Sequence, residues 1–137
     1  MNNYLKTEFG AKSINESIAR VIVAGFVMPL DPTLEQMADI KTSVSEAVTN
    51  SIIHGYEDCE GSVFMELKVE NRLLTVIIKD NGIGIEDIEK AREPLYTSKP
   101  ECDRSGMGFT VMESFMDSLH IESIPGMGTT IVMTKQL

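Results

Sequence analysis

Tryptophan is absent from this 137-residue chain, histidine and cysteine occur twice each, and only 6% of residues are aromatic. Cys59 and Cys102 stand far apart and outside any CxxC, which argues against a disulfide framework or a cysteine-built zinc site. Both are expected as reduced thiols. Basic side chains are also scarce: 12 Lys and Arg against 21 Asp and Glu leave a net charge of −9. Such a surface repels a phosphate backbone, so direct nucleic-acid binding is not expected. No apolar run approaches the roughly 20 residues of a membrane span, and Met1 to Glu8 has neither the basic start nor the apolar stretch of a signal peptide. The expectation is a cytoplasmic protein with no membrane partner. What is present, 42% hydrophobic and 24% charged residues, is a globular composition. The length suits one core and a single domain over residues 1–137.

Periodicity predicts the order β-α-α-β-β-α-β-β. Residues 4–9 alternate loosely as an edge strand. Ser13 and Glu16 form a capping-box pattern ahead of a helix with Ile14, Ile18, Val21, Ile22 and Phe26 on its inner side, ending before Pro29. Thr33 and Gln36 repeat that pattern and open the longest helix, with Leu34, Met37, Val44, Val48 and Ile52 as its buried stripe and Gly55 as its stop. From Gly61 the period shifts to two. Val63, Met65, Leu67 and Val69 share one face, as do Leu74, Val76 and Ile78 in the next strand at 72–79, so the pair is expected as an antiparallel hairpin. A glycine-rich loop at 80–85, a short helix at 86–92 and a polar lid at about 93–105 follow. A helix over 106–116 and strands at 119–122 and 129–135 complete an α/β two-layer sandwich, with helices on one face of the sheet.

On the second predicted helix, Glu46, Asn50 and His54 recur every four residues and line one face beside the apolar stripe. Alone, such a line is more often a solvated edge than a site. Downstream, Asp80-Asn81-Gly82-Ile83-Gly84 follows a strand directly, placing a carboxylate at a strand end beside two glycines that admit a ligand to the backbone. Ser105-Gly106-Met107-Gly108 opens a helix whose free amides suit a phosphate, and Gly126-Met127-Gly128-Thr129-Thr130 closes the set. The chain has no Gly-Lys pair for a P-loop and no GxGxxG.

Taken in order, these motifs resemble the GHKL superfamily of ATPases and kinases, which bind ATP in the Bergerat fold with a mixed, mainly antiparallel sheet. Glu46, Asn50 and His54-Gly55 match its N box, Asp80 to Gly84 its G1 box, Ser105 to Gly108 its G2 box and Gly126 to Thr130 its last glycine box. The resemblance implies ATP and Mg2+ as cofactors, with Asn50 as the magnesium ligand. It also implies that Asp80 accepts from the adenine amino group and that Thr130 helps hold the same base edge. Gly82 and Gly84 would let the purine lie against backbone, and Ser105, Gly106 and Gly108 would present amides to the phosphates. Arg104 either neutralises charge on the transferred phosphoryl group or is a solvated charge on the lid.

Glu46 separates the branches of the superfamily. A hydroxyl acceptor benefits from a base within hydrogen-bond reach, whereas an imidazole does not need one. No histidine precedes the site, so histidine autophosphorylation is not expected. The run from Ile40 to Tyr56, with Pro94-Leu95-Tyr96-Thr97 and Ser105 to Phe109, is similar to stand-alone serine protein kinases that also act as anti-sigma factors. That resemblance implies a homodimer that sequesters a sporulation sigma factor and phosphorylates a serine of an anti-anti-sigma protein. A nucleotide-gated binding module and an ATPase switch stay open beside it. Arg20, off the apolar side of the first helix, is either a grip for an acidic partner or a solvated charge. His54 is expected to be structural and His120 to face outward from its strand.

Overall fold

The computed structural model describes residues 2–57, 60–93 and 108–137. Strand β1 (Asn3–Gly10) leads into helix α1 (Ile14–Val27), a 3-10 turn at Met28–Leu30 and helix α2 (Leu34–Thr49), which passes into a π-helical turn at Asn50–Gly55. A hairpin of β2 (Ser62–Glu70) and β3 (Leu73–Asp80) follows, then the short α3 (Ile88–Ala91), α4 (Gly108–Phe115) and a second hairpin of β4 (Ser118–Ile124) and β5 (Gly128–Gln136). The strands form one sheet in the order β1-β2-β3-β5-β4. Every pairing is antiparallel, so the parallel component of the expected mixed sheet is not found among the described residues.

Alternation decides which side of the sheet meets the helices. Val63, Met65, Leu67 and Val69 of β2 face the same layer as Leu74, Val76 and Ile78 of β3 and Ile131 and Met133 of β5, and all are buried. Ile40, Val44, Ala47 and Val48 of α2 close the core over them, with Phe109 and Met112 of α4. The opposite face carries Lys68, Ile77, Lys79 and the outward His120, as alternation predicts.

Thr33 caps α2 as the sequence predicts: its Oγ1 accepts from Gln36 N at 3.0 Å, and Gln36 Oε1 accepts from Thr33 N at 2.9 Å. Three expectations for the helices need correction. Ser13 makes no side-chain cap, because its backbone is helical rather than in the extended geometry of a capping residue, and Glu16 does not reach back to it, accepting instead from Ser45 Oγ of α2 and pairing with Arg20 Nε at 3.4 Å. Helix α1 buries a side rotated from the expected one, keeping Phe26 inside and Ile22 packed against the core. Ala19, Val23, Phe26 and Val27 face inward, while Ile14 and Val21 are each 72% exposed and Ile18 is exposed beside them. Leu34, expected in the α2 stripe, is 92% exposed, because it precedes the turn at which α2 meets the sheet.

The sheet end formed by the β2–β3 turn gathers both ends of the chain. Asn71 N donates to Asn2 Oδ1 at 3.2 Å, Leu137 N to Arg72 O at 2.9 Å, and Arg72 Nη2 to Leu30 O at 2.7 Å. Asn71 and Arg72 both take positive φ, the geometry of a tight hairpin turn. At the other end, β3 stops at Asp80.

Candidate functional site

Asp80 ends a strand whose odd positions face solvent, so its side chain points into the helix layer, where it is 2% exposed. Across the sheet it stands opposite Val63 on one side and Thr129 on the other. Its Oδ1 accepts from Gly82 N at 2.9 Å. Burial pushes its carboxyl above the ordinary carboxylate range, against the lowering influence of the Gly82 amide, the Ser51 hydroxyl and the Thr129 amide. Ser51 Oγ is itself buried and has no hydrogen bond of ordinary geometry among the described residues, so it acts on Asp80 as a nearby dipole. A buried carboxylate with spare acceptor capacity is suited to a neutral N–H donor from a ligand.

The N box packs directly on this acid. After Thr49 the helix widens, and Tyr56 N reaches back to Ser51 O at 3.0 Å, closing the π-turn. Turns of this kind recur where a helix is reshaped around a site. Gly55 arrives so close that a Cβ there would stand 3.0 Å from three atoms of the Asp80 carboxyl group. Its carbonyl accepts from Ile83 N at 2.8 Å, while Tyr56 Oη accepts from Asn81 N at 2.8 Å and donates to Ser62 O at 2.6 Å.

Gly82 and Gly84 leave room for protein backbone. A Cβ on Gly82 would lie 2.1 Å from Gly55 O, and one on Gly84, at φ +78°, would lie 2.5 Å from Ile124 O. Protein backbone fills both spaces, so these glycines let the loop close on the N box and on the β4–β5 hairpin. Ser123 of that hairpin completes the closure, its Oγ accepting from Ile85 N at 2.6 Å and lying 2.9 Å from Thr129 Oγ1.

Thr130 is not at the acid. It pairs with Lys79 on the outer face of the sheet, whereas Thr129, 4% exposed, shares the inner face with Asp80. The core phase of Ile131 and Met133 carries this information, because residues two apart on a strand share a face. Tyr56 and Ser51 are the other residues that motif reasoning missed, and no sequence signal marks them.

Glu46 and Asn50 are four residues apart at the end of α2, half-buried, and α2 packs against α4. A Cβ on Gly108, the first residue of α4, would stand 3.2 Å from Glu46 Oε2, so this carboxylate lies against the start of that helix. Of the expected lid only Glu93 is among the described residues; Arg104 and Ser105 at its end, and Gly106 beyond it, lie outside them, so Gly108 alone represents the G2 box. Its flanks are linked by an Arg92–Glu113 ion pair. Arg20 is half-exposed on α1 in its pair with Glu16, which reaches Ser45 beside Glu46.

No group of three or more His, Cys, Asp or Glu side chains able to hold a metal occurs among the described residues. Magnesium commonly uses one or two protein oxygens and completes its shell with phosphates and water. The lone neutral oxygen of Asn50 fits that donor set. No helix among the described residues is long and apolar enough to cross a membrane.

Residues 15–135 match the family described as histidine kinase-like ATPase domain. The chain is 62% identical over 134 residues to the anti-sigma F factor of Clostridium kluyveri, covering 98% of this chain and 94% of that protein. It is 59% identical to the anti-sigma F factor of Clostridium acetobutylicum, covering 99% and 95%, and 56% identical to that of Bacillus subtilis, covering 100% and 94%. With its N box, G1 box and last glycine box gathered at one sheet end and likeness along nearly its whole length, the chain belongs to the histidine kinase-like ATPase family, among the ATP-using proteins that group with the anti-sigma F factors.

Proposed function

We propose that this protein is an anti-sigma factor and a serine protein kinase. The observation that carries the kinase half is the position of Glu46, a carboxylate set against the first residue of α4, where a nucleotide's phosphates meet helix amides in this reading. Glu46 takes the proton of a partner's serine hydroxyl as its oxygen attacks the γ-phosphorus. The bond to the β,γ-bridging oxygen breaks and ADP leaves. Asn50 would hold Mg2+, which would neutralise phosphate charge. Asp80 accepts from the adenine amino group, with Thr129 taking the role first read into Thr130. Ser105, Gly106 and Gly108 are assigned to the phosphates and Arg104 to the charge on the transferred group.

The names of the relatives support the sequestering half, with a sigma factor as one partner; an anti-anti-sigma protein is assigned in this reading as the phosphorylated one. The exposed apolar line of Ile14, Ile18 and Val21 on α1, continued by Met28 in the 3-10 turn, supports a homodimer, because monomers seldom leave such a line in water. Arg20, on the same helix, is assigned to partner contact.

The test mixes the protein with Mg-ATP and the anti-anti-sigma partner and follows phosphoserine by mass spectrometry. Transfer to serine supports the reading. Release of free phosphate without transfer would instead identify an ATPase switch, and nucleotide-dependent binding without turnover a gated binding module.

A further inference from the structure

Tyr56 belongs to none of the boxes, yet it touches two of them. Its ring edge covers Gly61 so closely that a Cβ there would stand 2.4 Å from Tyr56 Cε1, which fixes where the ring lies. Both functions of its hydroxyl are spent on backbone. It donates to Ser62 O at 2.6 Å, at the start of β2, and accepts from Asn81 N at 2.8 Å, just beyond the end of β3. Beyond Asp80 the ladder between β3 and its neighbours has stopped, so Asn81 N is outside the sheet's own hydrogen bonding. Tyrosine supplies the missing acceptor.

Asn81 lies between the acid and the amide that orients it. Asp80 Oδ1 accepts from Gly82 N at 2.9 Å across this one residue. Rotation of the peptide at Asn81 would carry Gly82 N away and free the carboxylate to turn. Tyr56 Oη opposes that rotation from the N-box side, while Gly55 O holds Ile83 N at 2.8 Å one step further along.

We propose that Tyr56 is a positioning residue for purine recognition: through the Asn81 amide it fixes the direction of the Asp80 carboxylate, and so sets the preference for a 6-amino over a 6-oxo purine nucleoside triphosphate. The inference rests on the assignment of Asp80 to the adenine amino group. A carboxylate held in place accepts from an amino group and repels a carbonyl oxygen at the same position. One free to turn discriminates less, because selectivity of this kind depends on the mismatched polar groups being unable to escape each other.

The test is calorimetric titration of the full chain with Mg-ATP and with Mg-ITP, for wild type, Tyr56→Phe and Asp80→Asn. Tyr56→Phe keeps the ring over Gly61 and removes only the hydroxyl. The affinity ratio of ATP to ITP is expected to fall about five- to tenfold, the effect of one lost hydrogen bond. A purely structural role would weaken both nucleotides alike, so a ratio within about twofold of wild type overturns the proposal. Asp80→Asn separates the two assignments. If it leaves the ratio unchanged, the reading of Asp80 fails; if it collapses the ratio while Tyr56→Phe does not, only the role of Tyr56 fails. Amide exchange at Asn81 in the wild type needs no variant. Protection supports the proposal, and exchange at the rate of an unfolded peptide overturns it.

Discussion

Glu46 Oε2 lies 3.2 Å from the point that a Cβ on Gly108 would occupy, so the proposed base and the first residue of α4 are in contact. Two variants probe this contact. Glu46→Gln keeps the shape and removes the base, and is expected to slow phosphoryl transfer by about 10²-fold or more while nucleotide affinity stays within about threefold. Gly108→Ala keeps the base but displaces it, and a loss of about tenfold in rate is expected. Single-turnover transfer assays beside nucleotide titrations check both, and an unimpaired Glu46→Gln enzyme would remove the base from the mechanism.

Asp80 gives a pH dependence whose sign follows from its burial. Its folded pKa is raised, so the folded protein without nucleotide holds this proton more tightly than the unfolded chain does. Between the ordinary carboxylate range and the raised value, stability therefore falls as pH rises. Asp80→Asn removes that penalty. Without nucleotide the variant is expected to melt above wild type at neutral pH, with the gap narrowing as pH approaches about 4. Thermal melts across that range decide it, and a variant less stable than wild type at neutral pH contradicts the assignment.

Thr129 and Thr130 are neighbours on opposite sides of one sheet. Replacing Thr129 with Val removes a buried hydroxyl on the inner side and is expected to weaken Mg-ATP binding about tenfold. Thr130→Val changes only the outer face, and an effect below about twofold is expected. Equal losses at the two positions would refute the assignment to the inner side.

Gly128 is held at φ +132°, where a Cβ would lie 2.1 Å from Asp80 O. Neither the backbone geometry nor the neighbouring strand has room to adapt. Gly128→Ala is expected to cost about 2–4 kcal/mol, measured by urea unfolding. A cost below about 0.5 kcal/mol would mean that β3 and β5 separate there more readily than their register implies.

The α1 line offers a test of assembly. Val21→Asp places a charge on a surface that is 72% exposed in the single chain, so folding should be little affected. Sedimentation is expected to show a dimer for wild type and a monomer for the variant. Two monomers, or two dimers, would detach this line from the homodimer reading.

Local signals were legible where both partners lie close in sequence. The Thr33–Gln36 box closes within three residues, and the alternation of β2 and β3 places Met65, Leu67, Val76 and Ile78 inside without reference to anything distant. Helix α1 resisted the same reading in part because it is apolar on two sides, and only packing against α2 selects Ala19, Val23 and Val27 over Ile14, Ile18 and Val21. The Glu16 half of the Ser13 box failed for a similar reason, since the competing partner of Glu16 is Ser45, 29 residues away. At the site, Glu46, Asn50 and Asp80 stood out because their motifs have fixed spacing. Tyr56 did not, because the Asn81 amide is 25 residues further along the chain and only the docking of the π-turn brings the two together.

The hydrogen bonds that bring residues 2 and 137 to the β2–β3 turn have an engineering consequence. That turn lies about 23 Å along β3 from Asp80, the reach of eight residues in extended backbone. Tethers, dyes or purification handles attached at either terminus therefore emerge on the far side of the molecule from the nucleotide end. Because the two termini are near neighbours, a short linker joining them permits circular permutation with new ends elsewhere, and the closed chain would retain the sheet order that brings Asp80 to Thr129.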